Sequence, residues 1–233
     1  MTDRPASDPA RCWGDFYRTR DPLHVYPAEF VVRAFLGNYP GLKTDKSVYP
    51  GKAVLDVGFG DGRNMPLLHN LGMRVFGVEI SDEICGLATS RMARLGIDAT
   101  IRVGRNCRIP FADAAFDYVL ACHAIHYVDA GTRFEDNARE ISRVLKPGGA
   151  FVFSAPKPTS YILRDARDLG DGHMEIANDP YGVRDGTIVK KFDRKTDIEA
   201  ALAADFRDFA IGSCQNDFWG IEEHVWTVVC RKA

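Results

Sequence analysis

The chain has 233 residues, a formal net charge of −2 at pH 7 and 45% hydrophobic residues. That is enough to bury one sizeable core, so one domain with insertions is expected rather than two small domains. The balanced charge gives no overall pull toward nucleic acid or an anionic membrane, although it leaves room for a local basic patch.

The start, MTDRPASDPA, is polar and has no apolar leader core, and no run is long enough to span a bilayer. A cytosolic location is therefore expected. The six cysteines include no C-x-x-C pair and read as reduced thiols rather than disulfides or a zinc site.

Residues 1–50 carry aromatics, prolines and one helical pattern at 28–36. A buried strand follows at 53–57, then a helix at 65–71 and a strand at 74–78. Ser81 is an N-cap for a helix over 82–95, which Gly96 ends. Strands are expected at 100–103 and 118–122. An amphipathic helix over 132–145 puts Phe134, Ala138, Ile141, Val144 and Leu145 on one stripe, and the KPGG turn at 146–149 stops it. A fifth strand covers 150–154. Residues 156–192 are rich in Gly, Asp, Pro and Tyr with little periodicity, which suggests an insertion or lid. Within it, NDPYG at 178–182 reads as a turn. After a helix near 196–204, strands at 209–218 and 224–231, joined by WGIEE, form an antiparallel hairpin at the sheet edge. The β-α-β alternation predicts an α/β fold with a doubly wound, mostly parallel sheet.

The stretch AVLDVGFGDGRN, 53–64, ends the first strand at Asp56 and Val57 and continues with Gly58, Gly60 and Gly62. In an open α/β sheet, ligands sit beyond the carboxyl ends of the strands. The dinucleotide pattern G-x-G-x-x-G requires a glycine at 63, where Arg63 stands, and the G-x-x-x-x-G-K-[S/T] phosphate loop is absent. By itself the triplet is also what a tight strand-to-helix turn needs. Glu79 adds to it. It lies at the tip of the second strand, about 20 residues after the first glycine, where a carboxylate receives both ribose hydroxyls. A ribose-binding acid without a pyrophosphate loop fits a nucleoside without phosphates. Asp56 adds negative charge that suits a cation. S-adenosyl-L-methionine has both properties.

The series VLDVGFGDGRN, VFGVEIS, RIPFADAAFDYVLACHAIHYV and ISRVLKPGGAFVFSAP resembles the class I, Rossmann-like SAM-dependent methyltransferases. It is most similar to the small-molecule branch with the consensus LDxGCGxGRN … LPFxDxxFDxV … LKPGG. The resemblance covers 53–155. It implies a seven-stranded order 3-2-1-4-5-7-6 with the C-terminal hairpin as strands 6 and 7. It also implies a cofactor site drawn from Asp56, Gly58, Gly60, Gly62, Asn64, Glu79, Ile80, Asn106, Cys107 and Cys122. Phe59 stands where relatives carry Cys or Ala, and its side chain is expected to pack away from the cofactor. Arg105 stands where many relatives have an Asp that receives the adenine amino group. That contact then falls to Asn106, a backbone carbonyl or water. The stretch VGRNCRIPF also resembles a subset of bacterial methyltransferases of surface-polysaccharide or secondary-metabolite pathways.

Methyl transfer needs alignment, exclusion of water and, for a hydroxyl acceptor, removal of a proton. Candidate bases follow the fourth strand in ACHAIHYV: His123, His126 and Tyr127. Histidine suits a base near neutrality, although in the resembling family these positions also serve structural roles. Cys122, His123 and His126 as a metal trio have no other support. Trp13, Phe16, Tyr17, His24 and Tyr26 either build the acceptor pocket, with Tyr17 over the methionine end, or attach the N-terminal arm. Tyr161, His173 and Tyr181 of the insertion are placed at the pocket mouth by topology. Arg164, Arg167 and Arg184 either bind an anionic substrate or form a solvated face. No [D/N]-P-P-[Y/F] loop follows the fourth strand, which disfavours nucleic-acid base methylation.

The expected function is methyl transfer to a small molecule at oxygen, with nitrogen as the second option. The rivals are an idle SAM-binding protein and an NAD-dependent oxidoreductase.

Overall fold

The computed structural model describes residues 8–19 and 25–233. Seven strands form the main sheet: β1 Ala53–Val57, β2 Arg74–Glu79, β3 Ala99–Val103, β4 Phe116–Ala121, β5 Leu145–Pro156, β6 Phe206–Phe218 and β7 Ile221–Lys232. Their spatial order is β3-β2-β1-β4-β5-β7-β6, the expected order. β1 to β5 pair in parallel, and β7 pairs antiparallel with both β5 and β6. The order reverses between β1 and β4, so the carboxyl ends of these two strands border the crevice where ligands of such sheets bind.

Every residue of β1 is buried because helices cover both faces. On one face lies α5, Phe134–Val144, whose Phe134, Ile141 and Val144 are fully enclosed. Burying each of these is worth about 1.5–3 kcal/mol relative to leaving it in water. On the other face lie α2, Glu29–Leu36, α3, Met65–Asn70, and α4, Asp82–Arg94. Ser81 Oγ accepts the Ile84 amide at 3.2 Å and caps α4, as its position predicts.

Four regions depart from the sequence reading. A helix unseen in the sequence, α1 at Pro9–Arg18, packs on α4, where a Cβ on Gly14 would meet Glu83 Oε2 at 2.6 Å. The start signal is Asp8, whose Oδ1 accepts the Ala10 amide at 3.1 Å, followed by Pro9 in the first turn. KPGG does not end α5 as a free turn. It lies within β5, where Phe116 pairs with Leu145 and Tyr118 with Ala150, so that 146–149 bulge opposite Asp117.

The insertion holds short strands that the sequence reading did not expect. Residues Arg167–Gly170, His173–Glu175 and Ile188–Lys190 join Tyr127–Val128 in a second, antiparallel sheet. Strands of two to four residues are too short to show a period-2 pattern. Finally, the C-terminal hairpin turns on Trp219 and Gly220 alone, at φ 53° and 93°. Two consecutive positive φ values make the tight reversal that matches strand twist. Ile221, Glu222 and Glu223 therefore belong to β7 rather than to a connecting loop.

NDPYG is a turn, with Gly182 N bonded to Asp179 O at 2.9 Å. Among the described residues, no helix is long and apolar enough to cross a membrane.

Candidate active site

A cavity of about 480 Å³ opens at the carboxyl ends of β1, β2 and β4. Its walls come from the glycine turn after β1, the loop after β4, α1, the insertion and β7. Residues named from the sequence that line it include Tyr17, Gly58, Asn64, Glu79, His123 and His126, together with Ile80, Asn106 and Cys122.

In the turn, Gly58 has φ 63° and donates its amide to Val78 O at 2.9 Å. A Cβ here would come within 2.5 Å of the Ala124 Cβ. Gly60 is required for a different reason, because a Cβ there would run into the Tyr17 phenol. A Cβ on Gly62 would face helix α4 rather than the cavity, 3.3 Å from Met92 Cε. Gly60 and Gly62 thus shape the turn without lining the cavity.

Glu79 sits at the tip of β2 with its carboxylate turned back on the turn. Oε1 accepts the Gly60 amide at 3.1 Å and Oε2 the Ile80 amide at 2.6 Å. A carboxylate has about four acceptor positions, so two remain for a vicinal diol. Burial raises the Glu79 pKa, against the lowering effect of these two amides. Asp56 lies behind the turn, fully buried, and neither of its oxygens has a hydrogen-bond partner among the described residues. Burial first, then Glu79 and Asp61, raises its pKa well above the usual carboxylate range. It is not part of the cavity wall. The diol site at Glu79 suits ribose, and its carboxylate beside the turn disfavours a phosphate there. The residues present therefore fit S-adenosyl-L-methionine and do not fit a pyrophosphate.

Asn64 ties the turn to its surroundings. Its Oδ1 accepts the Ala28 amide at 3.0 Å, and its side chain bonds the Cys122 thiol. Burial and the nearby Asp56 push that thiol up to about 12, so it stays protonated. Asn106 uses its amide group on the loop after β4, donating to Ala124 O at 2.9 Å and Tyr127 O at 3.1 Å. Only its carbonyl is left for an adenine amino group. Arg105 pairs with Asp129 at 2.8 Å. Cys107 lies outside the cavity, with Sγ 3.4 Å from Asp129 Oδ2. Phe59 packs on Gly77 and also forms part of the cavity floor.

The loop after β4 holds both histidines over Ser154 of β5. His123 N donates to Ser154 Oγ at 2.9 Å, and the His126 ring bonds the Ser154 backbone. His123 has φ 55°, a conformation that costs a non-glycine residue energy. Its Nε2 lies 3.2 Å from Glu223 Oε1 of β7. Its Nδ1 has no partner among the described residues. Burial lowers the His123 pKa, Glu223 opposes this, and Arg63 and Arg184 add to it. His126 is 2% exposed, and burial plus the neighbouring His123 lower it to about 3. It therefore remains neutral and is a poor base near neutral pH.

Tyr17 stacks on Trp13 at 5.6 Å between centroids and lies over Gly60. Phe16, Tyr161 and Tyr181 join the aromatic wall. Tyr26 points to solvent, 72% exposed, and only its carbonyl is engaged, by Arg63 Nε at 3.0 Å. His24 lies outside the described residues. His173 belongs to the second sheet and does not reach the cavity. Arg164 and Arg167 are exposed and pair with Glu222 and Glu175. Arg184 is instead enclosed in the cavity wall, its side chain 14% exposed.

The sequence reading missed Glu223 and Arg63. Arg63 had a signal, since a cation directly after the glycine turn must face the ligand crevice or solvent. Glu223 had none while WGIEE read as a loop. Among the described residues, no group of three or more His, Cys, Asp or Glu is arranged to hold a metal.

Residues 55–153 match the family model described as a methyltransferase domain. Over 156 residues the chain is 34% identical to a 24-methylenesterol C-methyltransferase of Oryza sativa subsp. japonica, covering 64% of this chain and 39% of that one. It is 34% identical over 122 residues to a demethylmenaquinone methyltransferase of Symbiobacterium thermophilum, covering 49% and 47%. The chain thus spans less than half the length of either curated relative. In fold it resembles a solved SAM-dependent methyltransferase from Methanosarcina mazei, with TM-score 0.62, 21% identity, and 78% and 92% of the two chains covered.

Proposed function

We propose that this chain, whose residues 55–153 match the model of a methyltransferase domain, uses S-adenosyl-L-methionine and transfers the methyl group to a hydroxyl of a small-molecule acceptor. The observation that carries the choice of oxygen is the pair formed by His123 and Glu223 in the cavity. A hydroxyl is a weak nucleophile until its proton is removed, and a positioned histidine supplies that step.

S-adenosyl-L-methionine supplies a methyl group on a sulfonium, open to in-line attack. Glu79 holds the ribose hydroxyls, Gly58 lets the backbone come close, and Tyr17 covers the turn. Arg63 lines the cavity beside the turn and has no carboxylate partner among the described residues. It takes the donor's carboxylate. The Glu223 carboxylate 3.2 Å from His123 Nε2 favours the proton on that nitrogen and leaves Nδ1 as the base. The aromatic wall excludes water. The resemblance of VGRNCRIPF supports an acceptor from surface-polysaccharide or secondary-metabolite synthesis.

Transfer to carbon is the chemistry named for the rice relative. An aromatic-lined cavity suits the cation that alkene methylation creates. Here the Arg184 guanidinium already lies over the Trp13, Tyr161 and Tyr181 rings, and this favours oxygen.

The test incubates the purified chain with S-adenosyl-L-methionine and paired hydroxyl, amine and alkene acceptors, reading S-adenosylhomocysteine release and product mass. Methylated hydroxyl compounds support the reading. Binding of S-adenosylhomocysteine without transfer to any acceptor makes the protein an idle binder.

A further inference from the structure

Arg184 reaches the cavity from the insertion, which lies outside the matched methyltransferase domain. Three of its features are fixed. Nη1 lies 3.0 and 3.2 Å from the two carboxylate oxygens of Asp179, whose side chain is fully buried. Nε donates to the Tyr127 hydroxyl at 3.1 Å. The guanidinium sits 5.0 Å from the Trp13 ring centroid, 5.6 Å from Tyr181 and 5.9 Å from Tyr161. The side chain is thus clamped in one orientation.

The third nitrogen, Nη2, has no hydrogen-bond partner among the described residues. A largely buried guanidinium with one edge unmet is costly unless a ligand or water takes it. Burial works against the charge, but Tyr127, Tyr161 and Asp179 outweigh it, so Arg184 stays protonated. It also lies close enough to His123 and His126 for its charge to lower their pKa values.

We propose that Arg184 recognises the methyl acceptor through a carboxylate, so that the acceptor is a small hydroxy acid with its hydroxyl at His123 and its carboxylate at Nη2. This rests on the cavity being the methyl-transfer site. A carboxylate fits better than a phosphate. Asp179 already answers the formal charge of Arg184, and the one free nitrogen matches one oxygen of a singly charged group rather than a dianion. The flanking rings of Trp13, Tyr161 and Tyr181 favour a planar body next to that group.

The probes are 2-, 3- and 4-hydroxybenzoate, each beside the amide of the same shape. Their binding to the S-adenosylhomocysteine complex is measured by calorimetry, for the wild type, Arg184→Met and Arg184→Lys. At least one acid is expected to bind about tenfold or more tighter than its amide, the usual gain from a charge-assisted hydrogen bond. Arg184→Met should erase that preference while S-adenosylhomocysteine affinity stays the same, and Arg184→Lys should retain part of it. The proposal is overturned if no acid binds the wild-type complex better than its amide. It is equally overturned if the preference survives in Arg184→Met. The wild-type comparison decides alone should Arg184→Met not fold. Failure of S-adenosylhomocysteine itself to bind would count instead against the methyltransferase reading.

Discussion

His123 Nε2 lies 3.2 Å from Glu223 Oε1, joining the loop after β4 to the last strand of the sheet. The contact exists because the hairpin turns on only Trp219 and Gly220, so that Glu223 extends along β7 beside the cavity. The Glu223 charge offsets part of the proton affinity that burial removes from His123.

Replacing His123 by Ala should therefore lower turnover by about 10²–10⁴-fold and leave S-adenosylhomocysteine affinity nearly unchanged. The His123 pKa is lowered, so the acid limb of the wild-type rate should fall below the usual histidine value of about 6.5. Glu223→Gln removes the group that raises it, so the limb should move lower still, with a smaller loss of rate. Rates of the three proteins across pH 4–9 check this. Equal rates in all three would place the base elsewhere.

Glu79→Ala should weaken S-adenosylhomocysteine binding at least tenfold, since hydrogen bonds to a charged group are each worth about 1.5–3 kcal/mol. The variant also releases the Gly60 and Ile80 amides, so its turn should exchange hydrogen faster. Wild-type affinity in this variant would put the ribose somewhere other than β2.

Two glycines should respond in opposite senses. Gly58→Ala places a Cβ 2.5 Å from that of Ala124 at φ 63°, and should abolish donor binding or destabilise the fold. Gly86 lies exposed within α4, and a Cβ there meets nothing within 4 Å. Gly86→Ala should stabilise the protein by about 0.5–1 kcal/mol. Chemical denaturation and calorimetry of both variants read the contrast.

His126 makes stability depend on pH. Its folded-state value of about 3 lies below the usual 6.5, so the unfolded chain binds the extra proton. Its contribution is complete above pH 6.5 and is lost as pH falls toward 3, with a slope of up to about 1.4 kcal/mol per unit. Buried carboxyls such as Asp56, with raised pKa, act in the opposite sense. The test is therefore the difference between wild type and His126→Asn across pH 4–7. That difference should narrow on acidification, and a constant gap would refute the assignment.

The β-α-β core was legible because its strands and helices carry long, clear periods, and Ser81 and Gly96 mark the bounds of α4. The glycine turn and Glu79 were legible because their spacing follows from ligand geometry. The second sheet was not, because His173–Glu175 and Ile188–Lys190 bury only one central residue each, Met174 and Val189. Glu223 was hidden by a turn on Trp219, a residue that seldom takes positive φ. Asn106 and Cys107 looked alike in sequence, yet Asn106 points to the loop after β4 and Cys107 to Asp129.

The most direct measurement is calorimetric titration of the purified chain with S-adenosylhomocysteine, NAD and ATP under one set of conditions. The glycine turn over Asp56 and the carboxylate of Glu79 predict saturable binding of S-adenosylhomocysteine at one site per chain, and none of NAD or ATP at the same concentrations. NAD or ATP binding tighter than S-adenosylhomocysteine would contradict the account at its centre.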